Sequence, residues 1–298
     1  NVLHEMVLLM ATEESSAFDV HDPVGAYPIH ALCVGNNDAS LDLLFALVSA
    51  DPKMVTRLHA SCGPYEGESC LHILAVNGRE SHLVKLLNLA ASKLPRNEFH
   101  ALLREQARGK FFDAAPMRRY GSTALSYACS FGMRAAISTM LATGLVSLND
   151  TDDRCTASGF MPLHAVVASN NLAMFDHLTS ELPFRQRSKR RELTTIGRLE
   201  RHGRVRRQAG LTPLQLAAQL GHHSMVRHIL RKQCDVLWVW GPVTNHSLDL
   251  SSVDSCGAGD GDVMDLIVRV DASLRTTELL LDNFMHGFIY KLYLLKWH

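Results

Sequence analysis

The chain has 298 residues, and 47% of them are hydrophobic, a content that excludes a largely disordered chain. Lys and Arg together number 30, as do Asp and Glu, so no net charge directs the whole chain to nucleic acid or to a membrane surface. No segment contains the roughly 20 apolar residues that a membrane-spanning helix requires.

The first 22 residues contain a helical run from Val2 to Ala11. We expect this run to belong to a truncated or divergent leading unit. The sequence begins with Asn1 rather than Met, so we expect a fragment of a longer protein.

Similar hexapeptides recur from residue 27 onward, and they resemble the T-P-L-H-x-A start of an ankyrin repeat. They are YPIHAL from Tyr27, SCLHIL from Ser69, TALSYA from Thr123, MPLHAV from Met161 and TPLQLA from Thr212. The third residue of each serves as an anchor for alignment, namely Ile29, Leu71, Leu125, Leu163 and Leu214. The recurrence predicts a repeat protein.

Positions at fixed distances from the anchors support this repeat. The residue seven positions after each anchor is Gly or Asn, and both accept the left-handed backbone conformation that ends a helix. These residues are Asn36, Gly78, Gly132, Asn170 and Gly221. The residues twelve and fifteen positions after each anchor are all apolar, and their i, i+3 spacing places them on one face of a helix. They are Leu41, Leu44, Leu83, Leu86, Ile137, Met140, Phe175, Leu178, Val226 and Ile229. Each unit is therefore predicted to be a helix, a tight turn and an antiparallel helix that must stack on its neighbours.

Histidine occupies the fourth position of three hexapeptides, as His30, His72 and His164. One interpretation is a metal or acid–base site. The other is that these side chains hydrogen-bond the loop backbone of adjacent units, which the recurrence at one repeat position favours.

The spacing between anchors exceeds the 33 residues of a plain ankyrin unit, so the surplus must form loops, which we call finger loops. The loop before Thr123 carries Arg108, Lys110, Phe111 and Phe112, followed by Arg118, Arg119 and Tyr120. Cations beside aromatic rings can bind a phosphate while stacking on a base, which predicts nucleotide or phosphoinositide contact. The alternative is that both phenylalanines pack on the stack and the charges are solvated.

A second insertion, residues 184–208, is strongly basic. Its Lys and Arg residues are 185, 187, 189, 190, 191, 198, 201, 204, 206 and 207, against Glu192 and Glu200. Such a basic run favours binding to acidic lipid, to an acidic protein partner or to a nuclear import receptor. A mobile, solvated loop is the alternative.

The pattern changes after Cys234. Bulky residues alternate in Trp238–Val243 ahead of a turn, and Ser247–Val253 follows, which predicts a short hairpin or edge strands. Residues 256–262 are glycine-rich and predict a connector rather than a nucleotide loop. Helices are predicted over Val263–Val270 and Thr277–Trp297.

No catalytic or metal motif is present: the sequence lacks G-x-S-x-G, H-E-x-x-H and G-x-x-x-x-G-K-[ST]. The seven cysteines are at least eight residues apart, so no C-x-x-C pair exists, and their odd number favours reduced thiols. We predict no enzyme, no catalytic residue, no bound metal and no cofactor.

Several strings resemble the vanilloid-type transient receptor potential (TRP) cation channels. They are Tyr65–His72, Ala107–Phe112, Gly210–Leu214, the Trp238–Ser255 segment with its W-x-W-G-P-V start, and the final Leu294–Trp297. The resemblance covers residues 25–298 in family order. The basic insertion at 184–208 is unlike the family.

This resemblance implies the cytosolic regulatory and assembly region of a tetrameric, calcium-permeable channel at the plasma or ciliary membrane. It implies that the linker strands pack against a neighbouring subunit of a homo- or hetero-tetramer through Trp238, Trp240, Gly241, Pro242 and Val243. Some members bind ATP or calmodulin, so ATP as a regulator, calmodulin and anionic lipid are expected partners, and nucleic acid is not. For ligands, only Arg108, Lys110, Phe111 and Phe112 carry over by motif.

The predicted fold is an all-α ankyrin solenoid, with five clear repeats, a partial first one and long finger loops, followed by a small linker domain of strands and helices. The repeats are assigned to residues 1–236 and the linker domain to residues 237–298. A free-standing ankyrin scaffold that binds proteins through its finger loops is the alternative function.

Overall fold

The structure is a computed structural model, and it describes residues 18–35, 37–61, 63–113, 121–148, 153–156, 159–181, 198–201, 204–207, 211–248, 250, 253–254, 262–269, 272–282 and 287–297. The predicted helix Val2–Ala11 and the turn residue Asn36 lie outside these residues. The chain forms two compact units, Asn1–Ala165 and Val166–His298. The predicted domain boundary after residue 236 stays a prediction.

The first unit consists of helix pairs with loops between them. Its helices are α1 (Pro28–Val34), α2 (Asp38–Ala50), α3 (Cys70–Val76), α4 (Glu80–Lys93), α5 (Arg96–Arg104), α6 (Lys110–Asp113), α7 (Ala124–Phe131) and α8 (Arg134–Ala142), with a 3-10 turn at Pro52–Thr56. The two-residue strands β1 (Gln106–Ala107) and β2 (Ser122–Thr123) pair antiparallel. Helix α9 (Pro162–Ala168) begins in this unit and ends in the second.

The helix pairs of the first unit stack in chain order. Helix α3 packs between α1 and α7, and α4 packs between α2 and α8. The contact between neighbouring helix pairs also includes hydrogen bonds. The Glu80 carboxylate at the start of α4 accepts the backbone N–H of Ala135 at 2.7 Å and that of Ala136 at 3.3 Å. These donors lie in the first turn of α8, where they have no partner within their own helix.

The second unit contains helices and two hairpins. Its helices are α10 (Leu172–Glu181), α11 (Pro213–Gln219), α12 (His223–Gln233), α13 (Val263–Val268), α14 (Leu274–Thr277) and α15 (Phe288–Trp297), with a 3-10 turn at Glu278–Leu281. Its strands are β3 (Arg198–Arg201), β4 (Arg204–Arg207), β5 (Cys234–Trp240) and β6 (Val243–Leu248), which pair as β3–β4 and β5–β6. Helix α11 packs on α12 and α13, and α10 packs on α12.

The five anchors occupy the same place in their helices. Each is the second residue of a helix that starts a pair, and each is at most 3% exposed. The ten apolar residues that follow at fixed distances are all buried as well. Burial of one leucine-sized side chain stabilises a fold by roughly 2 kcal/mol, so this periodic set supplies much of the core energy. The number of repeats stays a prediction.

The turn residues adopt the predicted backbone. Gly78, Gly132, Asn170 and Gly221 all have positive φ, between 54° and 76°. A left-handed residue costs little with glycine and only modestly more with asparagine. The four described turns therefore close each helix pair in the same way.

The terminal segment differs from the single helix predicted over Thr277–Trp297. The 3-10 turn ends at Leu281, Asp282 is extended, and α15 begins only at Phe288 after Gly287, whose φ is +74°. A helix cannot run through these conformations. The predicted helix Val263–Val270 is also shorter, because Arg269 is extended.

Candidate functional site: finger loops, exposed hairpin and helical tail

The first finger loop joins the 3-10 turn at Pro52–Thr56 to α3 and folds back on itself. Leu58 and Ser69 form an isolated antiparallel bridge. The backbone N–H of His59 donates to the carbonyl of Glu68 at 2.9 Å, and that of Gly67 donates to the carbonyl of His59 at 3.1 Å. The loop is thus a backbone-bonded arm rather than an unpaired connection.

Residues 106–113 of the second finger loop dock on the tip of the first. The backbone N–H of Arg108 donates to the carbonyl of Glu66 at 2.7 Å, and that of Phe111 donates to the carbonyl of Pro64 at 3.1 Å. Gly109 makes this approach possible, because a Cβ added there would lie 1.9 Å from the Pro64 carbonyl oxygen. The described residues of the two loops are therefore joined backbone to backbone.

Gly109→Ala is expected to separate the finger loops while the helix pairs stay folded. The new methyl group meets backbone rather than a flexible side chain, so the loop has to shift, at a cost of roughly 1–3 kcal/mol. Hydrogen exchange at the amides of Arg108 and Phe111 should accelerate. Gly78→Ala is the control, because a Cβ there meets nothing within 4 Å, although its positive φ adds strain. Unchanged exchange at both amides in Gly109→Ala would contradict the proposed docking.

The predicted ligand residues are divided between surface and core. Arg108 and Lys110 are exposed, Phe111 is 56% exposed, and Phe112 is only 3% exposed. Arg118 and Arg119 lie outside the described residues. The exposed cations and the ring of Phe111 lie on one short segment, α6 and the residues just before it. Their role in ligand binding stays a prediction.

Aromatic and imidazole rings run from this segment into the stack. The Phe111 ring centroid lies 4.9 Å from that of Tyr65, which lies 5.7 Å from the ring of His59. His59 stacks on His30 at 4.2 Å with the ring planes 10° apart. On the other side, Phe112 lies 6.3 Å from Tyr127. The loop tip is therefore in contact, ring to ring, with the repeat core.

A buried acid–imidazole pair lies beneath the loop tip, and the sequence motifs did not identify it. The Nε2 atom of His59 lies 3.8 Å from Oε2 of Glu68, and both residues are less than 9% exposed. Burial raises the pKa of Glu68 to about 7 and lowers the pKa of His59, an effect that the charge of Asp22 partly offsets. Both shifts have the same cause, since a buried group resists ionisation.

The recurring histidines bond backbone groups. The Nδ1 atom of His30 accepts the N–H of Tyr27, and that of His72 accepts the N–H of Ser69, each at 3.2 Å. The Nε2–H group is then the donor, and it reaches the Arg57 carbonyl at 3.0 Å from His30 and the Ser122 carbonyl at 3.2 Å from His72. These histidines cap their own helix and bind the next loop, as the second interpretation predicts.

Burial, rather than these hydrogen bonds, keeps the imidazoles neutral. Burial, with a smaller contribution from His59, lowers the pKa of His30 to about 4, and burial lowers the pKa of His72 to about 4. Among the described residues, no group of three or more His, Cys, Asp or Glu side chains could hold a metal ion. The described cysteines are free thiols.

The β5–β6 hairpin presents apolar residues on both faces. Trp240 pairs with Val243 across the turn, and Trp238 pairs with Asn245. Trp240 is 79% exposed and Val239, on the opposite face, is 63% exposed. The second strand begins at Val243 and ends at Leu248, earlier in the chain than the predicted segment Ser247–Val253. A two-stranded hairpin with apolar residues on both sides is marginally stable alone, which favours a partner.

The linker segment docks on the last helix pair in the manner of a following repeat. The Thr276 hydroxyl donates to the Gln219 carbonyl at 3.0 Å, and the ring Nε2 of His223 lies 2.8 Å from the Arg275 carbonyl oxygen. Nearby, Nε of Arg227 donates to the buried carboxylate of Asp282 at 2.8 Å. The end of the stack is thereby covered rather than left open to solvent.

One lysine of the helical tail makes ion pairs with three carboxylates. The Nζ atom of Lys296 lies 2.8 Å from a carboxylate oxygen of Asp254, 3.1 Å from one of Asp262 and 3.3 Å from one of Asp265. Burial alone would lower the pKa of Lys296, but the hydrogen bonds to Asp254 and Asp262 outweigh it and the pKa is raised. The tail is thus tied to both ends of the connector that follows the hairpin.

Comparison with known proteins adds an independent line of observation. A family model described as ankyrin repeat matches residues 209–239. The chain is 30% identical over 226 residues to transient receptor potential cation channel subfamily V member 2 from Homo sapiens, covering 70% of this chain and 27% of that protein. It is 28% identical over 221 residues to subfamily V member 4 from Homo sapiens, covering 68% of this chain and 23% of that protein.

A third relative is subfamily V member 5 from Mus musculus, 26% identical over 248 residues, which cover 82% of this chain and 30% of that protein. The chain thus spans about a third or less of the length of the curated relatives it matches. Within the described part of the chain, the helices are too short or too polar to cross a bilayer.

Proposed function

We propose that this chain, which is a vanilloid-type ankyrin region of the TRP family, serves as the cytosolic regulatory and assembly domain of a tetrameric cation channel. The relatives are named as cation channels, and the chain matches two of them over 226 and 221 residues. The observation that carries the proposal is the exposed tryptophan hairpin directly after the last helix pair.

The hairpin supplies the assembly contact in this proposal. Its exposed tryptophans have the size and rigidity of the residues that dominate protein interfaces. A neighbouring copy would cover Trp238, Trp240 and Val243, together with the turn residues Gly241 and Pro242. The helix pairs of that neighbour offer a rigid surface, since their own cores are already filled.

The finger loops supply the regulatory contact. Arg108 and Lys110 are exposed beside the ring of Phe111, an arrangement suited to a nucleotide such as ATP or to another phosphate ligand. Calmodulin and anionic lipid are alternative ligands of the same region. The rings of the loop tip contact the repeat core, so a ligand bound at the loop would shift the conformational equilibrium of the helix stack. The loop and the pore would then be linked by a coupling free energy, in which occupancy of one site changes the state of the other.

The test of assembly is Trp240→Ala in the complete protein that the gene encodes. Two differently tagged copies are expressed together, and co-purification measures assembly. We expect the wild type to co-purify and Trp240→Ala to lose most of that signal, with the helical circular dichroism unchanged because Trp240 is 79% exposed.

Val239→Ala is the matched control, since this neighbour lies on the opposite face of the same strand. Equal loss in both variants would indicate hairpin unfolding rather than a contact at Trp240. Co-purification that survives Trp240→Ala would refute the assembly role of this residue. A coding sequence without membrane-spanning segments would replace the channel by the free-standing ankyrin scaffold.

A further inference from the structure

The base of the first finger loop holds two buried ionisable side chains that lack ordinary hydrogen bonds. His59 is 7% exposed and Glu68 is 8% exposed. The 3.8 Å between Nε2 of His59 and Oε2 of Glu68 is too long for a hydrogen bond. The Nδ1 atom of His59 is buried and has no hydrogen-bond partner of normal geometry among the described residues. Because buried polar groups are nearly always hydrogen-bonded, a stabilising contact explains this pair poorly.

Backbone bonds close the loop around the pair. The N–H of His59 donates to the carbonyl of Glu68 at 2.9 Å. The N–H of Ala60, the next residue, donates at 2.9 Å to the carbonyl of Gly25 in the loop that leads into α1. The side chains of His59 and Glu68 can therefore reach water only when these backbone bonds open.

The groups around the pair supply no positive charge for a Glu68 carboxylate. Asp22, in the loop that leads into α1, is itself acidic, and its charge acts on His59. Arg57, at the start of the finger loop, pairs with Asp19 instead. The other ionisable groups around the pair are, by element, His30 and Cys33 of α1, Cys70 of α3 and Tyr65 of the finger loop. Within the described part of the chain, no lysine or arginine forms an ion pair with Glu68.

We propose that the first finger loop is a proton-controlled latch: it stays closed while Glu68 is protonated, and ionisation of Glu68 releases it. The neutral acid fits a dry site, whereas a carboxylate without a cation requires water. The closed loop keeps water away, so Glu68 ionises readily only after the loop opens. Consistent with this geometry, burial raises the pKa of Glu68 from its ordinary 4.5 to about 7.

The pH dependence follows from which state of the loop binds the proton. The closed loop keeps Glu68 protonated up to about pH 7, whereas the open loop ionises it from about pH 4.5. Opening is thus favoured as the pH rises from 4.5 to about 7, with no further gain above that. Burial lowers the pKa of His59, so protonation of this ring favours opening on the acidic side, below about pH 6.5. The two groups act in opposite directions and have to be separated by substitution.

Release of the latch would also free the segment that carries the proposed ligand residues. The carbonyl of Glu66, two residues before Glu68, accepts the N–H of Arg108 at 2.7 Å and that of Gly109 at 3.1 Å. The exposed side chains of Arg108 and Lys110 therefore depend on the closed loop for their position. A regulatory role for that movement rests on the proposed function, whereas the latch itself requires no ligand.

Hydrogen exchange of the 298-residue chain between pH 6 and pH 8 tests the latch. The readouts are the amides of His59 and Arg108, with each rate divided by the intrinsic exchange rate at the same pH. Glu68→Gln is the critical variant, because it keeps the neutral shape of the side chain and removes its titration. We expect loop opening to increase about tenfold more in the wild type than in Glu68→Gln, since the open loop releases a proton that the closed loop holds. The histidines contribute equally to both proteins.

Glu66→Gln and His59→Gln are the matched controls. Glu66 lies in the same loop but is only half-buried, so Glu66→Gln should keep the wild-type increase. His59→Gln removes the opposing imidazole and keeps Glu68, so opening should rise at least as steeply with pH as in the wild type.

Equal pH dependence in the wild type and in Glu68→Gln would overturn the latch. An increase that disappears in His59→Gln would overturn it as well, because the imidazole would then be the titrating group. So would loop amides that exchange as slowly as those of Leu86 and Leu87 in the core of α4, because the loop would then open only when the whole unit unfolds. The measurement needs no second copy of the chain, so the latch can fail while assembly through Trp240 stands, and the reverse.

Discussion

Leu71→Asp is expected to unfold the first unit. Leu71 is the anchor of α3 and is 0% exposed, between helices α1 and α7. The substitution removes a buried leucine and places an unpaired carboxylate among apolar groups, a combined cost of more than about 5 kcal/mol. That cost is comparable to the whole stability of an ordinary domain.

The measurement is the urea unfolding curve followed by circular dichroism, with Val76→Asp as the control. Val76 is the last residue of the same helix and is 42% exposed, so the same charge there should change stability by less than about 1 kcal/mol. A folded Leu71→Asp variant with near wild-type stability would contradict the stacked core. Because the unit is built of successive helix pairs, partial unfolding around α3 is expected to spread to its neighbours.

The sequence predicted the repeat core well because its signal is local and periodic. The anchors and the apolar pairs depend on the period of a helix, and the left-handed turns depend on the backbone freedom of glycine. Both can be recognised from the order of residue types in the sequence. Gly132 and Asn170 show the same conformation with different residues. Even the histidine bonds could be predicted from recurrence at one slot.

The finger loops were less predictable, because their contacts join residues that no period relates. Arg108 bonds the Glu66 carbonyl through its backbone, a bond that the side-chain sequence does not encode. Phe111 and Phe112 are equally apolar neighbours, yet consecutive helical residues differ by about 100° and only one can face the stack. The signal that was available is Gly109, a small residue where two backbones approach.

The helix predicted for the C-terminal tail was wrong for a different reason. Apolar periodicity across Thr277–Trp297 favoured one helix, and Gly287 was the available sign of a break. What fixes the break is tertiary: Asp282 leaves the helical conformation and pairs with Arg227 of the preceding helix pair. A carboxylate buried beside a guanidinium is a tertiary contact that local helix propensity does not report.

The neutral histidines predict acid sensitivity. The pKa of His30 and of His72 is about 4 in the folded chain, mainly because of burial, against about 6.5 when unfolded. A depressed pKa means that the unfolded chain binds more protons, so the stability from each neutral imidazole is complete above pH 6.5 and is lost as the pH falls towards 4. At pH 5 the loss is about 2 kcal/mol per histidine.

Glutamine is the matched replacement, because Gln215 occupies the same slot of a later repeat and its side chain accepts the N–H of Thr212 at 2.8 Å. His30→Gln with His72→Gln should therefore keep the caps while removing the titration. We expect the stability lost between pH 7.5 and pH 5 to be about 4 kcal/mol smaller in this double variant than in the wild type. Glu68, whose pKa is raised to about 7, acts in the opposite direction in both proteins and cancels in the difference. Identical pH profiles for the two proteins would mean that protonating His30 and His72 does not destabilise the fold. The interpretation of these histidines as buried, neutral helix caps would then be wrong.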